Sequence, residues 1–277
     1  MITAPDKRAQ LIEKGYCVFD KVLTTQMLAR VTKASDRLLD AQEAEHFEAQ
    51  KSTGSLICVY DDPLFSELIA WQPALNALGA MGYDQPTFST GFVISKPPNS
   101  PPLFWHQDWW GWNDPISYQP IPQQIFLMYY LVDTSIENGC LRLIEESHLK
   151  RHPVHDLAPN AHTEDLRRFA DPDHPVYQSQ EGEVAVPVKA GDLVMGDARL
   201  LHSTHANKTE RRRTVITLWY HPCFYELPEG MRARLARHKV PDHWSQMAGQ
   251  LINPLLPKYE GDAPELEWNR TPGKALV

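Results

Sequence analysis

Apolar residues follow two periods along this chain. From Met27 through Leu28, Val31, Ala34, Leu38 and Leu39 they recur at i, i+3 and i+4, one stripe of a helix, and Thr24 or Thr25 stands where a capping hydroxyl is wanted. Shorter helical patterns occupy 9–13, 65–71 and 74–81, and Tyr16-Cys17-Val18-Phe19-Asp20 reads as a strand after Gly15. From Thr87 onward the signal is β. Strands are predicted at 87–96, 104–109, 124–132, 140–144, 184–188, 193–196 and 214–221, separated by Pro, Gly and Asn. Many short strands between turns predict a sandwich or jelly roll. The run 152–180, with Pro153, Pro159, Pro172 and Pro175, is a long insertion, and such loops in a compact domain often act as lids or binding loops. Helical patterns return after Leu227, and the tail from Pro254 reads as irregular.

The expected class is therefore mainly β with flanking helices around a jelly-roll core. No repeat or flexible linker divides the 277 residues, so one domain is expected. It would hold a helical part at 1–85, the core at 86–225 and C-terminal helices and tail at 226–277. The net charge of −8 and the lack of a basic cluster argue against nucleic acid as a partner. No apolar run approaches the roughly 20 residues of a bilayer span. The start has no apolar core of a signal peptide, and Cys17, Cys58, Cys140 and Cys223 form no C-x-x-C pair. These readings point to a cytoplasmic protein acting on a small molecule.

The chemistry concentrates at Phe104-Trp105-His106-Gln107-Asp108-Trp109. Residues two apart on a strand share a face, so His106 and Asp108 together can reach one metal ion at about 2.0–2.2 Å. Alone, that pair is more often a surface pair. A second motif, Leu200-Leu201-His202-Ser203-Thr204-His205, comes late enough for a jelly roll to fold it opposite the first. Two His and one carboxylate make the facial triad of non-haem Fe(II) oxygenases, with open positions for a 2-oxo acid and dioxygen. Either His202 or His205 is available as the distal ligand. Arg213, eleven residues after His202, is placed to hold the far carboxylate of the 2-oxo acid, and Arg212 is the alternative one strand register away.

Taken with Ser95-Lys96-Pro97-Pro98, Glu137-Asn138-Gly139-Cys140-Leu141 and Ser147-His148, these motifs resemble the phytanoyl-CoA dioxygenase family of Fe(II)- and 2-oxoglutarate-dependent oxygenases, over about Gln10 to Phe224. The resemblance implies a double-stranded β-helix, cupin-like, with His106, Asp108 and His202 on Fe(II) and Arg213 on the 2-oxoglutarate C5 carboxylate. O2 is the second co-substrate. It also implies co-substrate contacts from Lys96 and Thr204. Because Asp108 fills the position where halogenating relatives have a small residue, it implies hydroxylation. The chain departs from the family at Glu145-Glu146, before Ser147-His148, which affects a turn beside the sheet.

Strand parity puts Trp105 and Trp109 in the core on one face, and Trp110 with Trp112 on the ligand side as candidate substrate-pocket residues, joined by Met128 and Tyr130 of the next strand. Aromatic walls suit an apolar body or a cation. The acidic balance favours a neutral or cationic substrate over a polyanion, although Lys150 and Arg151 form a local basic pair. Two further classes compete: a Zn or Mn jelly-roll isomerase or lyase, and a non-catalytic ligand-binding jelly roll. Arg213 weighs against both, because neither needs a 2-oxo acid clamp.

Overall fold

The computed structural model describes residues 3–157, 161–237 and 239–277; the first two residues and Ala158, Pro159 and Asn160 of the predicted insertion lie outside them. α1 (Ala4–Lys14) starts earlier than its apolar pattern, because Thr3 caps it in a reciprocal box with Asp6. β1 (Tyr16–Phe19) follows, and α2 (Thr25–Asp40) is the predicted long helix, with Thr24 accepting from Met27 N at 3.1 Å. α3 (Ala44–Ala49) and β2 (Ile57–Cys58) carry no pattern long enough to read in sequence. α4 (Phe65–Ile69) and α5 (Gln72–Ala80) lie where expected.

The remaining strands are β3 (Thr87–Lys96), β4 (Ile125–Tyr130), β5 (Leu141–Ile144), β6 (Glu183–Val186), β7 (Leu193–Asp197), β8 (His202–Thr204) and β9 (Arg213–His221). They build an antiparallel six-stranded sheet, β1-β7-β4-β9-β3-β2, and a three-stranded sheet, β6-β5-β8. Period-two alternation decides what each face meets. On β4, Ile125, Leu127 and Tyr129 join a core with Met27, Val31 and Leu68 of the helices. The intervening Phe126, Met128 and Tyr130 meet Leu141, Leu143 and Val186 of the smaller sheet. The same rule on β9 sends Ile216, Leu218 and Tyr220 to the helices, leaving Arg213, Val215, Thr217 and Trp219 facing the space between the sheets. This is the expected jelly roll.

The predicted strand at 104–109 does not form. Only His106 pairs, in an isolated bridge to His202. Beyond it the chain turns about one carbonyl, Asp108 N and Trp109 N both donating to Ala198 O at 2.7 and 2.9 Å. Trp105 and Trp109 are both buried, as expected, but in different clusters. Trp105 packs with Ile144, Val154 and Tyr177, and Trp109 with Phe224 and Met231. Parity cannot carry across a turn.

The insertion contains α6 (Glu164–Arg168) and short turns. After β9 come α7 (Glu229–Leu235) and α8 (Gln246–Ile252). No described helix is long and apolar enough to cross a membrane, and all four cysteines are free.

One buried ion pair anchors the loop leading into β4. Arg199 and Asp197 are each 1% exposed in their side chains, 2.6 Å apart, and Arg199 also donates to Ser117 O and Gln119 O at 2.8 and 2.6 Å. Arg199→Met would leave Asp197 as a buried charge without its partner. A loss of about 3–5 kcal/mol is expected in a denaturant melt. A loss under about 1 kcal/mol would show that water reaches the carboxylate.

Candidate metal and co-substrate site

A cavity of about 650 Å³ opens between the two sheets. Its floor is set by the His106–His202 bridge, in which each backbone N–H donates to the other's carbonyl, at 3.0 and 2.8 Å. The rings are fixed in parallel fashion: Nδ1 of His106 lies 3.0 Å from Phe104 O, and Nδ1 of His202 lies 2.9 Å from Leu200 O. With Nδ1–H donated to those carbonyls, each Nε2 presents a lone pair to the cavity. Burial, then the nearby His202, pushes the His106 pKa down to about 3, so that ring is neutral at working pH.

Asp108 is the hub of the cluster. His106 Nε2 and His202 Nε2 lie 3.6 and 3.7 Å from its oxygens, and Trp219 Nε1 donates to Oδ2 at 2.9 Å. His162, from the insertion, brings a third imidazole, with Nε2 3.9 Å from Asp108 Oδ1. The ligand atoms of His106, Asp108 and His162 all lie within 4.8 Å of one another, close to what one ion at bonds of about 2.0–2.2 Å spans. His162 has no H-x-D-like spacing to betray it; its backbone is left-handed at φ 72° and its approach depends on how the insertion folds back. His205 does not line the cavity, its chain running on to pair with Cys140 O. Between His202 and His205, the structure brings only the former to Asp108.

Arg213 reaches the same cavity from β9 and is 1% exposed. Its Nε and Nη1 have no hydrogen-bond partner, and burial lowers its pKa. Thr204 Oγ1, also lining the cavity, is likewise buried and unpartnered. Uncompensated buried guanidinium is costly, so this pair of orphans fits an oxyanion such as the far carboxylate of a 2-oxo acid. Arg212 is instead exposed and pairs with Asp36 and Asp40 of α2.

Other expected residues fall in and out of the cavity. Tyr130, Met128 and Trp110 line it. Trp112 does not: it is buried among Trp109, Phe224 and Leu276, because Gly111 turns the chain. Lys96, expected to contact the co-substrate, is fully buried with Nζ donating to the Ser52 and Pro101 carbonyls. Burial, then the charge of Arg213, holds its pKa well below the usual lysine value. Asn138 and Gly139 serve a turn, Gly139 at φ 88° and Asn138 Oδ1 accepting from Ser135 N at 2.7 Å. The divergent Glu145 pairs with Lys14 at 3.2 Å, away from the metal cluster.

A family model described as phytanoyl-CoA dioxygenase (PhyH) matches residues 11–215. No curated protein matches the chain in sequence. Among solved structures it is similar to the epimerase SnoN from nogalamycin biosynthesis, held with Fe3+, alpha ketoglutarate and nogalamycin RO, at TM-score 0.60 and 19% identity over 97% of each chain. HygX from Streptomyces hygroscopicus, with nickel and 2-oxoglutarate bound, aligns at TM-score 0.59 and 17% identity over 79% of this chain and 87% of its own. EctD from S. alaskensis, with bound Fe, aligns at 0.55 and 19% over 77% and 75%. At these identities the likeness is one of fold.

Proposed function

The chain belongs to the phytanoyl-CoA dioxygenase family, and from that premise we propose that it hydroxylates a small-molecule substrate, with His106, Asp108 and His202 holding Fe(II) and Arg213 holding 2-oxoglutarate. Membership makes it an enzyme of the 2-oxoglutarate-dependent oxygenase class. The observation that carries the residue assignment is the unpartnered Arg213 guanidinium, buried in the same cavity as the His–Asp cluster. A Lewis-acid isomerase needs no 2-oxo acid for that cation to hold, and a passive binding fold leaves the His–Asp cluster beside it without a use.

When bound, iron would supply activation of O2, the oxidant, with one oxygen atom passing into succinate as the 2-oxo acid loses CO2 and the other into the substrate C–H bond. The chain's own residues prepare the place. The Phe104 and Leu200 carbonyls lock both imidazoles in the tautomer that leaves Nε2 free, and Trp219 holds the Asp108 carboxylate by one oxygen. Arg213 and Thr204 orient the co-substrate by its far end, while Met128, Leu141 and Val215 keep that end of the cavity apolar and poor in water. His162 stands beside the cluster, and the paired His106–His202 backbone favours His202 over it as the third ligand. We place this activity in one domain and in the cytoplasm, where free thiols such as these four persist.

The test is a panel of CoA esters, amino acids, amines and phosphonates offered with Fe(II), 2-oxoglutarate and air. A substrate should stimulate succinate release, and the product should gain one oxygen atom. A product of unchanged composition or one desaturated or cyclised would overturn hydroxylation while leaving the oxygenase class standing. A chlorinated product would also overturn it.

A further inference from the structure

The cavity wall opposes the charge of the whole chain. In a protein of net charge −8, the lining includes Arg167, Arg213, Arg234, Arg237 and Arg270, with Asp108 as its only acidic side chain among the described residues. Net charge sums the entire surface, whereas a cleft focuses the field of the groups that line it. The lining therefore points the other way from the acidic balance of the whole chain, which had favoured a neutral or cationic substrate. Lys150 and Arg151 play no part, being paired with Glu146 and Asp156 outside the cavity.

The five arginines are not equivalent. Arg213 is taken by the co-substrate in the reading above, on which this inference rests for the identity of the site. Arg234 and Arg237 share Glu265, and Arg234 also donates to Leu266 O at 3.0 Å. Arg270 and Arg167 have no carboxylate within ion-pair distance among the described residues. Arg270 Nη1 and Arg167 Nε are buried and without a hydrogen-bond partner. Each of these half-buried arginines thus has one guanidinium nitrogen shut from water without a partner, a cost that a bound anion would remove. Arg270 also lies 5.0 Å from the Trp268 ring centroid and feels the Asp108 charge.

The chain at Arg270 is tied to the metal-cluster segment. The side-chain amide of Gln107, between His106 and Asp108, donates from Nε2 to Arg270 O. Asn269 N donates to Trp110 O at 2.8 Å, and Trp112 N donates to Asn269 O at 3.3 Å. The same segment stacks Trp268 on Trp110, with centroids 5.4 Å apart and planes at 11°, and the Arg234 guanidinium lies 5.7 and 5.5 Å from the two rings. Arg234, Trp268, Asn269 and Arg270 lie beyond residue 215, outside the part matched by the family model, whereas the Gln107, Trp110 and Trp112 they meet lie within it.

We propose that the C-terminal segment carrying Trp268 and Arg270 is the substrate-recognition wall of the cavity, and that Arg270, together with Arg167 of α6, binds an oxyanion, carboxylate or phosphate, on an otherwise apolar substrate. The apolar body lies along Phe92, Trp110 and Leu235, which line the same space. The oxyanion anchors the substrate at a fixed distance from the metal cluster through two cations that come from separate elements. That arrangement selects by charge and by length together.

The test uses four probes with one apolar body: 4-phenylbutyrate, 4-phenylbutyl phosphate, 4-phenylbutylamine and 4-phenylbutanol. Each is titrated calorimetrically into the full chain, anaerobically, with Fe(II) and saturating 2-oxoglutarate so that Arg213 is occupied. At least one oxyanion should bind about tenfold or more tightly than the amine and the alcohol, and which of the two binds better names the headgroup. Arg270→Gln and Arg167→Gln should each lose that preference, and Arg270→Lys should restore part of it. Protein that binds none of the probes, binds amine or alcohol as well as the oxyanions, or keeps its preference in either Gln variant that still folds, overturns the proposal. Titration of 2-oxoglutarate alone into the wild type tests the oxygenase reading separately, because probe discrimination needs no turnover.

Discussion

Asp108→Ala protein is expected to lose its iron. Of the groups in the cluster, Asp108 is the one that all three imidazoles face, at 3.6, 3.7 and 3.9 Å, and among the described residues it is the only carboxylate lining the cavity. On the proposed assignment, removing it takes away a ligand and leaves the cavity arginines unopposed against a dication. The fall in Fe(II) affinity should exceed the 10–100-fold typical for loss of an outer hydrogen-bond partner. Trp219→Phe supplies that milder comparison, because it removes only the Nε1–H bond to Asp108 Oδ2. His202→Ala should match Asp108→Ala, whereas His162→Ala should keep stoichiometric iron. Metal analysis of purified protein decides this. Iron retained in His202→Ala and lost in His162→Ala would move the third ligand to the insertion.

The second large effect is expected at Arg213. Hydrogen bonds to a charged group are worth about 1.5–3 kcal/mol, which makes the 2-oxoglutarate dissociation constant of Arg213→Ala roughly 10- to 150-fold weaker. Arg213→Lys should recover part of this, since an ammonium supplies charge without the planar fork. Arg212→Ala should bind 2-oxoglutarate as the wild type does, because Arg212 spends its charge on Asp36 and Asp40 at the surface. Calorimetric titration of the iron-loaded protein checks all three. Unchanged affinity in Arg213→Ala would remove it from the co-substrate site.

Sequence alone was sufficient where a local rule acts on a regular element. The stripe from Met27 to Leu39 made α2, and alternation put Met128 and Tyr130 of β4 on one face, the face that lines the cavity. Motif order from His106 to Arg213 was enough to indicate the family, because ligand chemistry restricts residue type more tightly than it restricts fold. Alternation failed at 104–109 for a physical reason: the chain leaves the sheet after His106 and turns on the Ala198 carbonyl, so Trp105 and Trp109 part company and Trp112 leaves the cavity.

Tertiary structure decided what depends on distant neighbours. His202 and His205 are equivalent as residue types, and only the antiparallel bridge to His106 selects one of them for the cavity. Lys96 was a candidate contact for the co-substrate from its motif, and only the fold shows its Nζ donating to the Ser52 and Pro101 carbonyls. His162 and Arg270 lie far along the chain from the motif they flank, and no spacing rule reaches across an insertion or a tail. The charge of the cavity was hidden for the same reason. Composition adds every charge with equal weight, whereas folding brings five arginines to the lining of one open cavity and leaves most carboxylates in water.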